Sequence, residues 1–444
     1  MPYEEGIRLP GERASKLGHL NVIKSPWVQS LINDFEFNPQ QDTDPSNTIW
    51  IEFHPKNYKP LHNVWAVDGS YVTVTSEGFP RREVAFVKTS LLGIDRARLD
   101  AIDKEHPHPL LLQDIMTDSA VFHATVFPLK NIRTSMGTNY DAVRHIVRDS
   151  LRFDQDGLFY ETLKWISYQK WSGEGCNSPA FDCPHCGMES PGLPYDADEG
   201  KCNECGNIVF LTDMVGFHLD MDENSAPESV PSAYMLIMEH LMLFTVIRLL
   251  WEHSDKNILS DTLFIKDGPL TLRSQYSKLV PAIRAFLEYA KKAGRPIHII
   301  GQEKSGVVFD HLTTIARFAS PRTRGESMTY AVLSHDYIRK EVYRSPDLLT
   351  PYGMRTNWGE KIYVKLDPST YMVLNIPTGE YSRDGTFPKN NDLIGLYRIL
   401  ASLPSLVSHK YEGALFPVEL ANGIASMSSY PSAKILQRFI EDRK

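Results

Sequence analysis

Four of the five cysteines form two Cys-x-x-Cys pairs, the pattern with the clearest chemistry in the sequence. Fifteen residues separate Cys183/Cys186 from Cys202/Cys205, and a glycine follows each pair. Two such turns bring four thiolates around one ion, and a closed tetrahedral shell of this kind is typical of structural zinc. A redox role for the pairs is the alternative. The spacing predicts a structural zinc site in a ribbon, with Cys176 as a bystander.

Two aspartates followed by glycine end apolar runs that are typical of strands: Asp68 and Asp267. Carboxylates that project from adjacent strands can share divalent cations, and hard oxygen ligands select Mg²⁺ or Mn²⁺ over zinc. Two such ions activate water and stabilise the leaving oxygen of a phosphodiester. Asp-Gly is also a strong hairpin signal. Since four Asp-Gly dipeptides occur, with the others at Asp156 and Asp384, a turn is the alternative for each.

Glu239 is a third acidic residue, placed inside the apolar run from Ala233 to Trp251. Its neighbours at three and four residues along a helix are all apolar: Met235, Leu236, Met242 and Leu243. A buried ionised carboxylate is strongly unfavourable unless a charge or hydrogen bonds compensate it. A metal ion would do so. A salt bridge to a distant lysine or arginine, or a side chain that reaches solvent, is the alternative.

Lys304 follows the apolar segment 296–301 in the run Gly301-Gln302-Glu303-Lys304. A lysine just past the end of a strand can hold a scissile phosphate as a point charge. An ordinary surface lysine is the alternative. We therefore expect Asp68, Glu239, Asp267 and Lys304 to form one site.

The elements that must position these residues can be predicted from hydrophobic patterns and turn residues. Segments rich in β-branched and aromatic residues predict strands, the earliest of them antiparallel, at 49–53, 64–74, 84–89, 120–126, 262–266, 296–301, 328–333, 361–366 and 371–376. Helical patterns cover 140–171, 232–253, 276–293 and 419–444. Ser232 is the predicted N-cap of the apolar helix, and Gly294 ends the third. Alternating strands and helices favour an α/β fold.

Composition narrows the class of protein. The 444 residues are 42% hydrophobic and 23% charged, which is ordinary for a globular protein. The net charge of −8 argues against broad non-specific coating of DNA but permits a local basic groove. The apolar run around Glu239 contains charges that are unfavourable in lipid, so we expect no membrane span. Paired cysteines indicate a reducing compartment, and the cytoplasm is expected.

Three short motifs together resemble the NurA nuclease family in their order and spacing: Val67-Asp68-Gly69-Ser70, Asp267-Gly268-Pro269-Leu270 and Gly301-x-x-Lys304. The resemblance covers about residues 60–430. It implies an N-terminal extension over 1–60, a NurA-like nuclease domain over 61–444 and a zinc-ribbon insertion over 176–212. The implied fold is a mixed RNase H-like sheet flanked by helices, with the four-cysteine ribbon inserted.

The resemblance also implies an activity and partners. Family members are Mn²⁺- or Mg²⁺-dependent deoxyribonucleases that digest DNA from 5′ ends and cut single strands. They act as homodimers with a hexameric HerA-like ATPase that translocates DNA, in DNA end processing or defence against phage. Asp68 and Asp267 match the strand carboxylates of the family, and Glu239 matches its helical glutamate more loosely.

One position departs from the family pattern. Asn422 stands where the family has a histidine, and an amide cannot exchange protons at neutral pH. Either the carboxylates act alone, or another histidine such as His311 or His335 serves, or activity is low. The rival functions are a non-enzymatic adaptor that binds DNA or a partner through the ribbon, and another RNase H-like enzyme such as an RNase or a guide-dependent nuclease.

Overall fold

The computed structural model describes the following parts of the chain: residues 22, 24–34, 49–102, 108, 119–221, 228–316, 328–344, 350–408, 414–427 and 432–441. The chain divides into two compact units, Met1–Asn47 and Thr48–Lys444. In the first unit the described element is helix α1, Pro26–Asp34, which exposes Trp27. Most of the predicted N-terminal extension before residue 49 lies outside the residues that the structure describes.

The second unit is built on thirteen strands within the described residues. They are β1 Ile51–Phe53, β2 Asn63–Thr75, β3 Glu83–Asp95, β4 Ala120–Lys130, β5 Phe181–Asp182, β6 Glu189–Ser190, β7 Glu199–Lys201, β8 Ile208–Phe210, β9 Thr262–Asp267, β10 His298–Glu303, β11 Met328–Val332, β12 Glu360–Lys365 and β13 Tyr371–Ile376. Strands β1 to β4 and β9 to β13 form one nine-stranded sheet in the order β1-β11-β12-β13-β10-β9-β2-β3-β4. Strands β5 to β8 form two separate hairpins.

Two of the pairings in the large sheet are parallel. Strand β9 runs parallel to β2 on one side and to β10 on the other, whereas every other recorded pair is antiparallel. Parallel neighbours end at the same edge of a sheet, and their connections need a crossover that usually contains a helix. The last residues of β9 and β10, and the middle of the longer β2, therefore meet at one edge.

Helices cover both faces of this sheet. Their bounds are α2 Arg96–Asp100, α3 Asn139–Phe153, α4 Leu158–Ser167, α5 Ser229–Glu252, α6 Asn257–Ser260, α7 Val280–Lys292, α8 Val307–Ile315, α9 His335–Tyr337, α10 Leu396–Ser402, α11 Phe416–Ala425 and α12 Ser432–Glu441. One buried cluster joins α3, α4, α5 and α7 to the sheet, and a second cluster joins α10 and α11 to the other face. The prediction of an α/β fold with a mixed sheet flanked by helices is confirmed.

Helix α5 is the central element of the first face. It is long and apolar enough in composition to resemble a membrane span, but 72% of its most apolar window is buried inside the fold. Burial all round explains why an almost continuously apolar helix belongs to a packed core. The structure therefore agrees with the expectation of a protein without a membrane span.

Three sequence predictions about helix boundaries need correction. Helix α5 begins at Ser229, so Ser232 lies within its first turn and is not the N-cap. The predicted stretch 140–171 is divided into α3 and α4, because Gln155, Asp156 and Gly157 adopt positive φ angles between them. The C-terminal helical region begins at Phe416, and α12 follows it as a separate helix.

Candidate metal centres

The four cysteines converge at the tips of the two short hairpins. Cys183 and Cys186 lie between β5 and β6, and Cys202 and Cys205 lie between β7 and β8. In each turn the glycine N–H donates to the carbonyl of the leading cysteine at 2.9 Å, and both glycines have φ near +70°. That conformation is open to glycine at little cost, which explains the Cys-x-x-Cys-Gly spacing.

The distances between the sulfur atoms fit a tetrahedral ion. The Sγ atoms of Cys183 and Cys205 are 3.8 Å apart, as are those of Cys186 and Cys202. Zinc–sulfur bonds of about 2.3 Å at tetrahedral angles place sulfur atoms about 3.8 Å apart. Backbone N–H groups of Cys205 and Glu204 lower the pKa of Cys202 to about 7, which favours its thiolate, whereas burial raises the pKa of Cys183 to about 12.

Charge pairs join the hairpin segments to the helices, and one of these pairs is buried. Arg144 on α3 forms two hydrogen bonds with Asp213, at 2.9 and 2.8 Å, and both side chains are almost fully buried. Lys164 on α4 pairs with Asp196 and Asp198 at 2.8 and 3.0 Å. Because Cys183 and Cys202 also belong to the main hydrophobic cluster, the four-cysteine centre is part of the core packing.

The two predicted strand carboxylates lie side by side in the sheet. Val67 on β2 pairs with Lys266 on β9, and each is followed directly by its aspartate, Asp68 or Asp267. The same register aligns Asp267 with Gln302 on β10. Asp68 therefore occupies the interior of a strand, and the hairpin interpretation of this Asp-Gly dipeptide is wrong. Asp156, by contrast, lies in a turn.

Glu239 reaches the same place from helix α5. A Cβ atom added at Gly69 would lie 3.0 Å from Glu239 Oε1 and 2.5 Å from Met235 Cγ. The glycine after Asp68 thus lets the helix approach the strand closely. The three acidic residues, about 170 and 30 residues apart along the chain, line one open cleft with a volume of 530 Å³.

Two lysines compensate two of these carboxylates. Lys266 Nζ lies 2.6 Å from Glu239 Oε2, with both side chains almost fully buried. Lys304 Nζ lies 2.9 Å from Asp267 Oδ1 and is more exposed. The pair with Lys266 is the distant salt bridge that the sequence left open for Glu239. Lys304 is at the cleft, as the strand-end position predicts.

Asp68 has the least compensation of the three. Only 6% of its surface is exposed, and the hydrogen bond that it accepts comes from the adjacent Gly69 N–H at 2.7 Å. Burial and the negative charges of Asp267 and Glu239 together raise the pKa of Asp68 to about 7, although the Gly69 N–H and Lys304 act in the opposite direction. Burial also raises the pKa of Glu239, against the effect of Lys266. Mutual repulsion at a buried edge favours a proton or a cation there.

The two centres differ in how closely their ligand atoms approach. A metal site needs several His, Cys, Asp or Glu side chains with their ligand atoms close together. Within the described ranges, the four cysteines are the one group of three or more such side chains whose ligand atoms all lie within 4.8 Å of one another. The three carboxylates are more widely spaced than this. The cleft therefore does not hold a preassembled three-carboxylate cage around a single ion.

The other residues suggested for the chemistry lie elsewhere. Asn422 is exposed on α11. His311 contacts the hydroxyl of Tyr363 at 2.9 Å, and His335 contacts Glu360 at 3.0 Å. Neither histidine is among the described residues that line the cleft, so the suggestion that one of them serves there is not supported.

Sequence reasoning missed the partners that complete the cleft. Lys266 interrupts the apolar run of β9, and strand alternation points it opposite to Asp267, towards α5. That interruption was a usable signal. Glu303 also lines the cleft and is held by Lys361 and by Asn375 Nδ2, the latter at 2.7 Å. Its partners come from β12 and β13, so no local pattern could have identified them.

No protein-family model matches the sequence, and no curated protein shows significant similarity to it.

Proposed function

We propose that this protein is a metal-dependent phosphodiester hydrolase that acts on DNA. The observation that carries the proposal is Asp68, an almost buried carboxylate without a cationic hydrogen-bond partner among the described residues. The sheet register places it next to Asp267, and Glu239 on helix α5 lines the same cleft. Such a set of oxygen ligands at an open cleft suits Mg²⁺ or Mn²⁺.

Each residue has a distinct role in this proposal. Asp68, Glu239 and Asp267 hold one or two Mn²⁺ or Mg²⁺ ions, which supply activated water and charge stabilisation when bound. Lys304 at the cleft rim contacts the phosphate. Glu239 must exchange its contact with Lys266 for a metal ion, since a lysine on the carboxylate and a cation repel each other. Gly268, which has only Lys266 Nζ near the position of a Cβ atom, leaves room for a substrate backbone.

Within this class, we propose membership of the NurA family and an RNase H-like core. The order of the three motifs supports this, as does the sheet region in which three antiparallel strands, β4-β3-β2, continue into the parallel strands β9 and β10. The proposal includes 5′-3′ exonuclease and single-strand endonuclease activity. It also includes a homodimer, a HerA-like hexameric ATPase as partner and a cytoplasmic location. The acidic net charge fits delivery of DNA by such a partner.

We propose that the ion bound by the four cysteines is structural zinc. The 3.8 Å separations and the all-sulfur ligand set support zinc, and four protein ligands leave no open position for a reaction. Its role is to hold the hairpins against α3 and α4.

A catalytically weak adaptor is the second candidate function. The pairs Lys266–Glu239 and Lys304–Asp267 favour it, because they compensate two of three carboxylates without any metal. Buried ion pairs also occur for purely structural reasons. In this reading, the ribbon binds DNA or a partner protein and the cleft is inert.

The test is digestion of linear DNA by the purified full-length protein with MnCl₂. Asp68→Asn removes a ligand charge at nearly constant volume, and we expect it to lower the rate about 1,000-fold, since a metal ion supplies several kcal/mol of charge stabilisation. The matched control is Asp156→Asn, at an exposed Asp-Gly turn, which should retain full activity. Single-stranded DNA, duplex DNA, RNA and RNA–DNA hybrid are compared side by side. Equal inertness of wild type and Asp68→Asn, with a ring ATPase partner present, would favour the adaptor.

A further inference from the structure

A second cleft adjoins the carboxylate cleft. It has a volume of 380 Å³ and shares Pro269 and Glu303 with the first. Its other lining residues come from the segment after β9, which contributes Arg273, and from the segments before and within β12, which contribute Tyr343, Tyr352 and Lys361. The two clefts therefore follow one another along the edge where the parallel strands end.

An exposed aromatic ring lies in the wall of this second cleft. Tyr343 is 46% exposed, and its ring centroid is 6.1 Å from that of Tyr352. Tyr352 packs in turn against His335, with centroids 5.4 Å apart, and His335 is held by Glu360. Tyr343 thus packs at a tilt of 40° against a ring that is itself in contact with His335, and nearly half of its surface stays exposed at the cleft.

The charges in the wall favour an anionic ligand. Glu303 is neutralised by Lys361. Arg273 is exposed, and its recorded contact is a 3.4 Å hydrogen bond to Ser232 Oγ, with no carboxylate partner among the described residues. An exposed aromatic ring and an exposed guanidinium in the lining of one cleft are a combination that binds single-stranded nucleic acids, because bases stack on the ring and phosphates pair with the cation.

We propose that this second cleft is a base-stacking subsite for single-stranded DNA, in which Tyr343 stacks on a nucleobase and Arg273 contacts a backbone phosphate near it. The inference rests on the proposed nuclease function and specifies its substrate, since the adjacent carboxylate cleft would hold the scissile phosphate of the same strand. A paired base in a duplex has its faces covered by its neighbours. The subsite therefore selects single strands without reading their sequence.

Binding is measured without added Mg²⁺ or Mn²⁺, so that the strand stays intact. The probe is a short 5′-fluorescein-labelled oligothymidine titrated with the full-length protein, and fluorescence anisotropy gives Kd. Base–aromatic stacking of about 1–3 kcal/mol corresponds to about five- to 150-fold in Kd, which is the weakening expected for Tyr343→Ala. Tyr343→Phe keeps the aromatic face and should bind like wild type.

Two controls separate stacking from a general loss of structure. Tyr289→Ala removes a tyrosine of similar exposure on α7, outside both clefts, and should leave Kd unchanged. An abasic oligonucleotide keeps the phosphates but has no bases to stack. Wild type and Tyr343→Ala should bind it equally weakly, whereas Arg273→Ala should weaken binding of both probes.

The outcomes distinguish this inference from the nuclease proposal. Binding that depends on Tyr343, with no cleavage of any strand in Mn²⁺, would refute the nuclease and keep the stacking subsite. Cleavage abolished by Asp68→Asn, with oligothymidine binding indifferent to Tyr343→Ala, would refute the subsite alone. A Tyr343→Ala defect of equal size on the abasic probe would also overturn it, as would wild-type protein that binds no single strand.

Discussion

The four-cysteine cluster and the carboxylate cleft achieve convergence in different ways. The cysteine ligands come from two local turns, and their sulfur atoms already lie at tetrahedral distances. The carboxylates come from β2, α5 and β9, and lysines compensate two of them. A closed structural centre can thus be specified by short turns, whereas an open centre depends on sheet register and helix packing. We expect the first centre to govern stability and the second to exchange its ions freely.

Loss of a cysteine ligand should give the largest effect. In Cys202→Ser we expect bound zinc to fall from about one per chain to near zero, with partial unfolding, because structural zinc contributes about 10–16 kcal/mol in zinc-finger peptides. Zinc content by mass spectrometry and the melting temperature measure this. Cys176→Ser, outside the cluster, should change neither. Full zinc occupancy and an unchanged melting temperature in Cys202→Ser would contradict the claim that the four-cysteine centre governs stability.

Lys266→Met tests whether Glu239 belongs to a salt bridge or a metal site. The substitution leaves a buried carboxylate unpaired, so we expect the free energy of unfolding to fall by about 3–5 kcal/mol without divalent ions. Added Mn²⁺ should recover part of that loss if Glu239 binds the ion. Urea unfolding with and without Mn²⁺ measures both effects.

The matched control is Lys292→Met, which breaks an exposed pair with Glu288 and Glu380 and should leave the free energy of unfolding nearly unchanged, because solvent screens such pairs. If Mn²⁺ recovers no stability in Lys266→Met, Glu239 is a structural partner of the lysine and not a metal ligand.

The pH dependence of stability sharpens the view of Asp68 as an uncompensated carboxylate. Since burial and the neighbouring charges of Asp267 and Glu239 raise its pKa to about 7, the folded state favours the protonated form. Its contribution is complete below the ordinary pKa of about 4 and is lost as the pH rises through about 7. Without divalent ions, the free energy of unfolding should therefore fall between pH 5 and 7, by roughly 1.4 kcal/mol per unit at most. Urea unfolding across this range should show a flatter profile for Asp68→Asn, and an identical profile would contradict the assignment.

Lys304→Ala should give the smallest effect. Its ammonium is partly exposed at the cleft rim, so stability should hardly change. Loss of a phosphate contact of about 1.5–3 kcal/mol should raise KM for DNA at least tenfold. Steady-state digestion at two salt concentrations measures this, and Lys304→Arg should keep part of the affinity. An unchanged KM would make Lys304 only a partner of Asp267.

The sequence was sufficient where structure is local. Alternation and β-branched residues predicted the strands that carry Asp68 and Asp267, and the Cys-x-x-Cys-Gly spacing predicted the convergent thiolates. Helix starts were less accurate: Ser229, not Ser232, begins α5, because packing of the whole apolar helix outweighs a capping preference.

The rest depends on contacts between distant segments. The pairing of Glu239 with Lys266 arises from the crossing of α5 over β2 and β9, and the second cleft joins Arg273 to tyrosines about 70 residues later. Neither follows from any periodicity within one segment. Asn422 illustrates the converse: motif order placed it at the site, but α11 leaves it exposed and outside the described lining of the cleft.

The most direct test of the central claim is a crystal structure of the protein soaked in MnCl₂, with anomalous scattering used to locate the ions. We predict at least one manganese peak bound by Asp68 and Asp267 at about 2.0–2.2 Å, the range for small hard cations with oxygen ligands, with Glu239 turned from Lys266 towards the ion. An empty cleft at saturating Mn²⁺, with the Lys266–Glu239 and Lys304–Asp267 pairs intact, would contradict the account.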